Sequence, residues 1–310
     1  MTGPPDDRGA GWPEARSHLL SFDVEEYFQV EAAARSGVTP QDWPAYPRRL
    51  APAVDRLLQA LADHGVSATF FVLGWVGREE PAIVRRIAEA GHEVASHGMT
   101  HRMLRHLTPE AFRQDLRESR HLLEDLAGRP VRGYRAPTFS ITHRTAWALD
   151  VLAEKGYEYD SSVFPIRHDR YGVPDAPTIP HHARGPGGGI ILEIPPLTLR
   201  LAGANWPVGG GGYLRLLPRR LPARALRHAD RRDAPGMLYL HPWELDPDQP
   251  VVPMSRFSRF RHRVGLRRAE GKLRWLLGRF RFTSVARQLD ALRTGAVETY
   301  AYGEGTAEVE

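Results

Sequence analysis

Segments with the composition of β-strands alternate with segments that have the apolar spacing of α-helices, from residue 18 to about residue 240. This alternation strongly limits the fold, because a helix that follows each strand returns the chain to a parallel neighbour. The pattern therefore predicts an α/β protein with a parallel sheet, and about seven repeats favour a barrel over an open sheet. The predicted strands are His18–Val24, Ala68–Leu73, Glu93–Ser96, Val131–Tyr134, Tyr157–Tyr159, Ile190–Ile194 and Met237–Leu240.

The helices between these strands have recognisable ends. Thr108 supplies a capping hydroxyl, Pro109 suits the first helical position, and Glu110 places an acid in the first turn. Gly128 follows the last residue of that helix and favours its end. The predicted helices are Leu50–Asp63, Pro81–Ala90, Pro109–Ala127 and Thr142–Lys155.

Two segments interrupt the alternation of strands and helices, and both ends of the chain are predicted to lie outside the barrel. Residues 165–189 are rich in Pro, Gly and His without a period, and we expect a long surface excursion. The four glycines at 209–212 lack the lysine of a phosphate-binding loop, which favours a flexible loop lining a cleft. We predict a disordered N-terminus at 1–16, one barrel over 17–290 and a tail at 291–310.

Composition excludes some classes of site. The chain has no cysteine, which rules out disulfides and thiolate metal sites. It has no signal-peptide pattern and no apolar run of about 18 residues, so we expect a soluble cytoplasmic protein. The net charge is +5, and arginines concentrate between 256 and 287 in a segment, about 250–290, that we predict to be helical. These arginines indicate either a solvated helix face or peripheral contact with an anionic polymer or membrane; no nucleic-acid partner is expected.

Two histidines and nearby carboxylates form a candidate metal site. His97 and His101 follow one predicted strand, and Asp23 and Glu25 close another. Residues two apart in a strand share a face, so Asp23 and Glu25 point the same way, while Glu26 points to the other side. Two imidazoles and a carboxylate are a ligand set of hydrolytic metal sites. Surface histidines and solvated acids are the alternative interpretation, and Glu26 stays open as the carboxylate ligand.

Further polar residues stand where other predicted strands end. Arg135 follows one strand, Asp160 another and His241 a third. Each alone fits an ordinary role, as a surface arginine, a cap or a core histidine. The carboxyl ends of parallel strands converge in a barrel, however, so we expect these side chains to meet the metal candidates at one mouth.

The order of these residues resembles the five motifs of the NodB-type polysaccharide deacetylases, carbohydrate esterase family 4, over about residues 18–245. The resemblance is carried by an Asp/Glu cluster, S-H-x-x-x-H, R-x-P, D-x-x and L-x-L-H. Within the family the chain is similar to the branch of exosortase-associated exopolysaccharide loci. That likeness rests on D-V-E-E-Y-F at 23–28, R-A-P-T-F-S-I at 135–141, H-P-W-E at 241–244 and R-F-R-F-T-S at 279–284.

The resemblance implies a deformed (β/α)7 barrel of the NodB-homology type that holds one divalent metal, commonly Zn²⁺, with Co²⁺ or Mn²⁺ as alternatives. It implies hydrolysis of N-acetyl groups from an amino-sugar oligo- or polysaccharide, or from its precursor. Tyr239, with Pro137 and Trp243, is expected to contact the substrate. The implied roles are Asp23 as general base; Glu25, His97 and His101 as metal ligands; Arg135 orienting the base; Asp160 supporting His241; His241 as general acid; and the Thr138 N–H as oxyanion donor.

The chain also departs from the family pattern. Two adjacent aspartates are usual where this chain has Asp23-x-Glu25, a tryptophan is common where it has Val163, and a leucine where it has Tyr239. The last two changes reshape the pocket for the acetyl methyl group and bear on the substrate more than on the reaction. The alternatives are a small-molecule hydrolase of cyclic imides or ureides on the same fold, and a carbohydrate-binding barrel without activity.

Overall fold

The computed structural model describes residues 17–168, 170–296 and 298–303, so the predicted disorder of 1–16 falls outside the described residues. Its centre is a mostly parallel sheet of ten strands in the order β10-β1-β2-β3-β4-β5-β7-β6-β12, with β11 also paired to β1. The strands are β1 His18–Val24, β2 Thr69–Val72, β3 Glu93–Ser96, β4 Gly133–Tyr134, β5 Tyr159–Asp160, β6 His181–Arg184, β7 Ile190–Glu193, β8 Thr198–Leu201, β9 Ala204–Pro207, β10 Met237–Leu240, β11 Phe282–Thr283 and β12 Thr299–Ala301.

Helices lie between most of these strands and cover the sheet. The helix α5 starts as its sequence predicts, because the Thr108 hydroxyl accepts a hydrogen bond from the Ala111 N–H and Gly128 ends the helix in a left-handed conformation. The helices are α1 Glu31–Ala34, α2 Leu50–Ala62, α3 Gly74–Glu79, α4 Pro81–Glu89, α5 Pro109–Ala127, α6 Trp147–Glu154, α7 Gly211–Leu216, α8 Arg220–Arg231, α9 Arg256–Arg263, α10 Leu266–Leu277 and α11 Leu289–Gly295. None of the described helices is long and apolar enough to cross a bilayer.

Strand β1 organises the site because it is buried along its whole length and has parallel neighbours on both edges. Phe22 pairs in register with Phe70 of β2 and with Leu240 of β10. The carboxyl ends of these three strands therefore lie at one edge of the sheet. Asp23, His241 and the loop after β3 are brought to that edge.

The predicted α/β class with parallel strands is confirmed, but the described strands do not form a continuous closed ladder. Between β7 and β10 the pairing consists of an isolated bridge from Pro196 to Met237, and Gly210 forms a second bridge to Tyr239. Proline has no N–H to donate, which limits pairing at that point. In this region the described strands are thus joined by single bridges.

The segment predicted as a surface excursion, 165–189, contains regular structure. Strand β6 lies within it and pairs antiparallel with β7, in the register His181 to Glu193. The predicted tail at 291–310 is also partly ordered, since β12 pairs parallel with β6 and α11 runs to Gly295. Both strands are short, and β12 pairs with a strand that is distant in sequence, which local patterns do not reveal.

The four-glycine run is not a free loop. Gly210 pairs with Tyr239, Gly211 begins α7, and Gly212 does line the main cleft as expected. A Cβ at Gly210 would lie 2.5 Å from the Tyr239 hydroxyl oxygen, and one at Gly211 would lie 1.6 Å from Oε2 of Glu244. The glycines therefore allow the backbone to approach β10 and the residues after it more closely than any side chain would permit.

The basic C-terminal segment is helical, as predicted, and forms α9 and α10. Part of its charge is used internally: the Lys272 ammonium donates hydrogen bonds to the carbonyls of Leu214, Arg215 and Leu217 at the end of α7. Arg274 is paired with Asp63 on α2. Of the arginines of α9, Arg261 lines the main cleft.

Candidate active site

Three predicted ligands meet at the carboxyl edge of the sheet. Glu25 follows β1, and His97 and His101 follow β3; their ligand atoms all lie within 4.8 Å of one another. Nε2 of His101 is 2.8 Å from Oε2 of Glu25. Burial and the charge of His101 lower the pKa of His97 to about 4, although Asp23 and Glu25 act in the opposite direction, which keeps the imidazole neutral at pH 7. Two imidazole nitrogens and one carboxylate fit a divalent cation of the zinc type.

The loop that carries the histidines is held by hydrogen bonds from two neighbouring elements. Nδ1 of His97 lies 2.8 Å from the carbonyl oxygen of Arg135, so Nδ1 carries the proton and Nε2 is available as a ligand. The N–H of Met99 donates to the Asp115 carboxylate on α5. Gly98, with φ of 75°, allows the turn between them.

The two candidate carboxylates after β1 point to different places. Burial alone would raise the pKa of Glu25, but His101 and the other histidines lower it to about 2, so it is ionised among the ligands. Oε1 of Glu26 instead accepts hydrogen bonds from the N–H groups of Arg49 and Leu50, at the start of α2. Burial raises the pKa of Glu26 to about 7. Of the two alternatives that the sequence leaves open, the geometry favours Glu25.

Asp23 and Arg135 form a buried ion pair beside these ligands. The Arg135 guanidinium lies 2.6 Å from Oδ1 of Asp23, and it also donates to the Ser21 hydroxyl and to the carbonyl of Ser161. The arginine side chain is fully buried, and its guanidinium lies 4.0 Å from the centre of the Phe71 ring. With these partners, Arg135 fixes one oxygen of Asp23 and leaves Oδ2 facing His241.

His241 stands on the opposite side of the site, after β10. Its Nε2 is 3.9 Å from Oδ2 of Asp23 and 3.6 Å from Oε1 of Glu25. Its Nδ1 is 3.3 Å from Oε2 of Glu244, whose second oxygen accepts from Nε of Arg215 at 2.7 Å. Burial would lower the pKa of His241, but the hydrogen bond to Glu244 and the charges of Glu25, Glu244 and Asp23 raise it to about 9. The imidazole is therefore protonated at neutral pH.

The predicted support of His241 by Asp160 does not match the contacts. Asp160 accepts a hydrogen bond from the Ser162 hydroxyl and pairs in register with Glu193 of the neighbouring strand β7. Burial raises the pKa of Asp160 to about 6 and that of Glu193 well above its usual range. Asp160 thus belongs to a buried carboxyl pair, and among the described residues Glu244 occupies the place beside Nδ1 of His241.

The ligands and both proton-transfer candidates open into one cleft with a volume of about 240 Å³. Thr138 lines it in a left-handed conformation, with φ of 58°, which is uncommon outside glycine. Tyr239 and Trp243, for which we predict contact with substrate, also line it. Pro137 does not belong to the described lining, because it is buried as the first residue of a 3₁₀ turn. Arg135 and Asp160 likewise lie behind the wall.

Several residues of the site escaped the sequence reasoning. Glu244 stands in the H-P-W-E motif, three residues after His241, and that spacing was the available signal for a contact. Arg215 and His262 had no local signal, since they reach the site through α7 and α9. The His262 ring stacks on Trp243 with centroids 4.4 Å apart.

A family model described as polysaccharide deacetylase matches residues 42–159, and one described as a domain of unknown function (DUF3473) matches residues 161–290. The chain thus carries a match to the polysaccharide deacetylase domain at residues 42–159. This first match contains both candidate ligand histidines and Arg135. The second contains His241, Glu244 and Arg215, so the two sides of the cleft come from differently matched parts.

Curated relatives align with the first part of the chain. A chitooligosaccharide deacetylase of Rhizobium leguminosarum bv. trifolii is 36% identical over 101 residues, which are 32% of this chain and 43% of the relative. A peptidoglycan-N-acetylglucosamine deacetylase of Bacillus cereus is 29% identical over 118 residues, 34% of this chain and 43% of the relative. The chain thus spans less than half the length of these relatives.

One solved structure agrees with the fold over nearly the whole chain. It is the crystal structure of a candidate polysaccharide deacetylase from Mycobacterium smegmatis, with a TM-score of 0.60 and 20% identity. The alignment covers 97% of this chain and 98% of that one. At this identity the likeness establishes the shared fold.

Proposed function

We propose that the protein is a metal-dependent hydrolase that removes N-acetyl groups from an amino-sugar oligo- or polysaccharide. The observation that carries the proposal is the arrangement of Asp23 and His241 around the Glu25, His97 and His101 ligand set, in one cleft. A base, a cationic acid and a metal-ligand set are the groups that amide hydrolysis requires. The names of the curated relatives support acetylated glycans as the substrate class.

Glu25, His97 and His101 would hold the cation, whose Lewis acidity makes water a stronger acid and polarises a carbonyl oxygen. Zn²⁺ suits this nitrogen-rich set, with Co²⁺ and Mn²⁺ as alternatives. Glu25 is ionised and His97 is neutral at pH 7, the protonation states in which both can act as ligands. The buried position of the set keeps competing ligands away.

Asp23 is the proposed general base. Arg135 holds one of its oxygens, and the other faces the cleft, where it can take a proton from water as the water attacks the amide carbon. The backbone N–H of Thr138, on the cleft wall, is the proposed donor to the oxyanion that forms on the amide oxygen.

His241 is the proposed general acid. It is protonated at neutral pH and its Nε2 points into the cleft. Because an amide nitrogen leaves poorly as an anion, donation of this proton to the sugar nitrogen assists C–N bond cleavage. The products are acetate and a free amino sugar.

An extended substrate fits better than a small cyclic imide or ureide. A second groove of about 460 Å³ shares Glu31 and His101 with the main cleft, so the surface continues beyond the metal ligands. An exopolysaccharide or its lipid-linked precursor is the substrate that the resemblance to the exosortase-associated branch suggests. A barrel that only binds carbohydrate is disfavoured, because Asp23, the ligands and His241 are all present.

Acetate release from N-acetylated chitooligosaccharides tests the proposal. The chain is loaded with Zn²⁺, Co²⁺ or Mn²⁺, and activity is measured with and without a chelator. We expect metal-dependent release, and Asp23→Asn should lower kcat by about 10² or more while metal content stays unchanged. Turnover of cyclic imides but not of chitooligosaccharides would favour the small-molecule alternative.

We further propose that α9 docks the enzyme on an anionic lipid surface. Phe257 and Phe260 are 69% and 61% exposed on this helix, and residues 249–269 contain six arginines and no acidic residue. Exposed aromatic rings beside cations are the features of interfacial helices. Ser258 and Arg261 of the same helix line the cleft, so docking would bring a lipid-linked sugar to the site.

Vesicle sedimentation tests the docking of α9. We expect binding to vesicles that contain phosphatidylglycerol, weaker binding to pure phosphatidylcholine, and loss of binding at high salt. The variant F257S/F260S should lose most of the binding, whereas Leu201→Ser, on the exposed hairpin of β8 and β9, should not. Binding to soluble acidic polysaccharide without vesicle binding would contradict the lipid assignment.

A further inference from the structure

We infer that Glu244, held in place by Arg215, is the positioning residue of the proton donor His241. The inference rests on the proposed function, because it concerns the acid of the same reaction. It assigns a task to the part of the chain matched as a domain of unknown function, residues 161–290. It also explains how the acid histidine is oriented when Asp160 is engaged elsewhere.

Glu244 contacts His241 at two points. Its Oε2 accepts a hydrogen bond from the backbone N–H of His241 at 3.0 Å and lies 3.3 Å from Nδ1 of the ring. A carboxylate beside Nδ1 selects the tautomer with a proton on that nitrogen. The other nitrogen, Nε2, is thereby directed into the cleft toward Asp23 and Glu25.

Arg215 fixes Glu244 from behind. Its Nε donates to Oε1 of Glu244 at 2.7 Å, and both side chains are almost completely buried. Its Nη1 donates to the carbonyls of Arg261, His262 and Val264 at the end of α9, at 2.8–3.1 Å. The guanidinium thus satisfies the last carbonyls of a helix and one oxygen of the carboxylate together, which leaves Glu244 a single orientation.

Packing around the pair removes other conformations. Trp243 lies between His241 and His262 in a stack, with ring centroids 5.1 Å and 4.4 Å away. The backbone of Gly211 closes the other side of the Glu244 carboxylate. The Glu244 carboxylate therefore holds the His241 ring in one orientation at the surface of the cleft.

A buried ion pair can also be purely structural, so the test must separate orientation from stability. Protonation of the leaving group matters for an amide and much less for an aryl acetate, whose phenolate leaves without a proton. Loss of proton donation by His241 should therefore lower the turnover of the amide more than the turnover of the ester. Loss of the fold or of the metal would affect both equally.

The experiment compares Glu244→Gln with the wild-type chain on a chitooligosaccharide and on 4-nitrophenyl acetate, both in the Zn²⁺-loaded protein. We expect kcat on the amide to fall by about 10² or more, with little change in KM, and ester turnover to fall by less than about threefold. Glu244→Asp should recover part of the amide activity. Glu93→Gln, which changes a partly buried carboxylate at the start of β3 outside the cleft lining, is the matched control and should behave as wild type.

Two outcomes would overturn the inference: equal losses on both substrates, or no loss on the amide. A readout independent of turnover is the ¹H–¹⁵N correlation of Nδ1–H in the His241 ring, which should shift in Glu244→Gln and stay constant in Glu93→Gln. An unshifted signal in Glu244→Gln would also overturn it. If the wild-type chain hydrolyses neither substrate, the proposed function fails, and the ring signal alone decides the contact.

Discussion

Nδ1 of His97 lies 2.8 Å from the backbone carbonyl of Arg135, and the guanidinium of the same Arg135 lies 2.6 Å from Asp23. Arg135, which follows β4, therefore holds a proposed metal ligand through its main chain and the proposed base through its side chain. The two tasks are separable by substitution, because a change of side chain leaves the carbonyl in place.

Arg135→Lys is expected to lower kcat by about 10² while metal content stays at the wild-type level. A lysine cannot reproduce the planar contact that reaches Asp23, Ser21 and Ser161 together, so Asp23 loses its orientation. Acetate release and elemental analysis on the same preparation check both parts. Wild-type turnover, or loss of metal in this variant, would contradict the division of tasks.

Glu25→Gln and Glu26→Gln should differ in metal binding. Glu25 faces the two histidines, whereas Glu26 accepts hydrogen bonds from the start of α2, which a glutamine oxygen can also accept. We expect Glu25→Gln to weaken Zn²⁺ binding at least tenfold and Glu26→Gln to leave it unchanged. Titration calorimetry measures both, and the reverse ranking would assign the ligand to Glu26.

Gly211→Ala should damage the site far more than Gly212→Ala. A Cβ at Gly211 would lie 1.6 Å from Oε2 of Glu244, while one at Gly212 would have its nearest neighbour, an Arg215 nitrogen, at 3.8 Å. We expect the first variant to lower amide turnover by tenfold or more and to reduce stability by about 1–3 kcal/mol. Thermal melts and acetate release compare the pair, and equal behaviour would show that Glu244 can move freely.

The stability of the protein should fall between pH 6.5 and pH 4 because buried histidines resist protonation. Burial, with the charge of Arg287, lowers the pKa of His92 from 6.5 to about 4. In that window the unfolded chain binds more protons than the folded chain, so the free energy of unfolding decreases as the pH falls. His181 and His262 also have pKa values lowered to about 4, mainly by burial.

His92→Asn isolates one part of this pH effect. The Asn oxygen can accept the hydrogen bond that the Ala68 N–H donates to Nδ1 of His92. Between pH 7.5 and pH 5, the variant should lose roughly 1–2 kcal/mol less stability than the wild type, by urea denaturation. An identical pH profile in both proteins would place the titrating groups elsewhere.

Much of the fold could be predicted because its signals are local. The bounds of β1, β3, α5 and β10 agree with the predictions, since each has a strong apolar pattern and, for α5, a cap at each end. The strands β6 and β12 were missed because they are short and gain their stability from pairing with each other and with β7. The incomplete closure between β7 and β10 involves Pro196 and depends on the spacing of strands in three dimensions, which sequence periodicity does not predict.

The candidate site likewise contains residues that local sequence patterns predict and residues that depend on tertiary contacts. Two-residue alternation separated Glu25 from Glu26 by face, and the metal-ligand set followed from residues at the ends of strands. The partner of His241 was misjudged because Asp160 lies beside Glu193, a contact set by the pairing of β5 with β7. Glu244 lies only three residues from His241, but its fixed orientation depends on Arg215, which reaches it through the tertiary fold.

The proposed ligand set and the proposed proton donor come from distant parts of the chain, and the pairing of β10 with β1 brings His241 within 3.6 Å of Glu25. A fragment that ended before β10 would keep every side chain needed to capture a cation and would have no group to release the amine. Such a fragment would be a metal-binding protein without turnover.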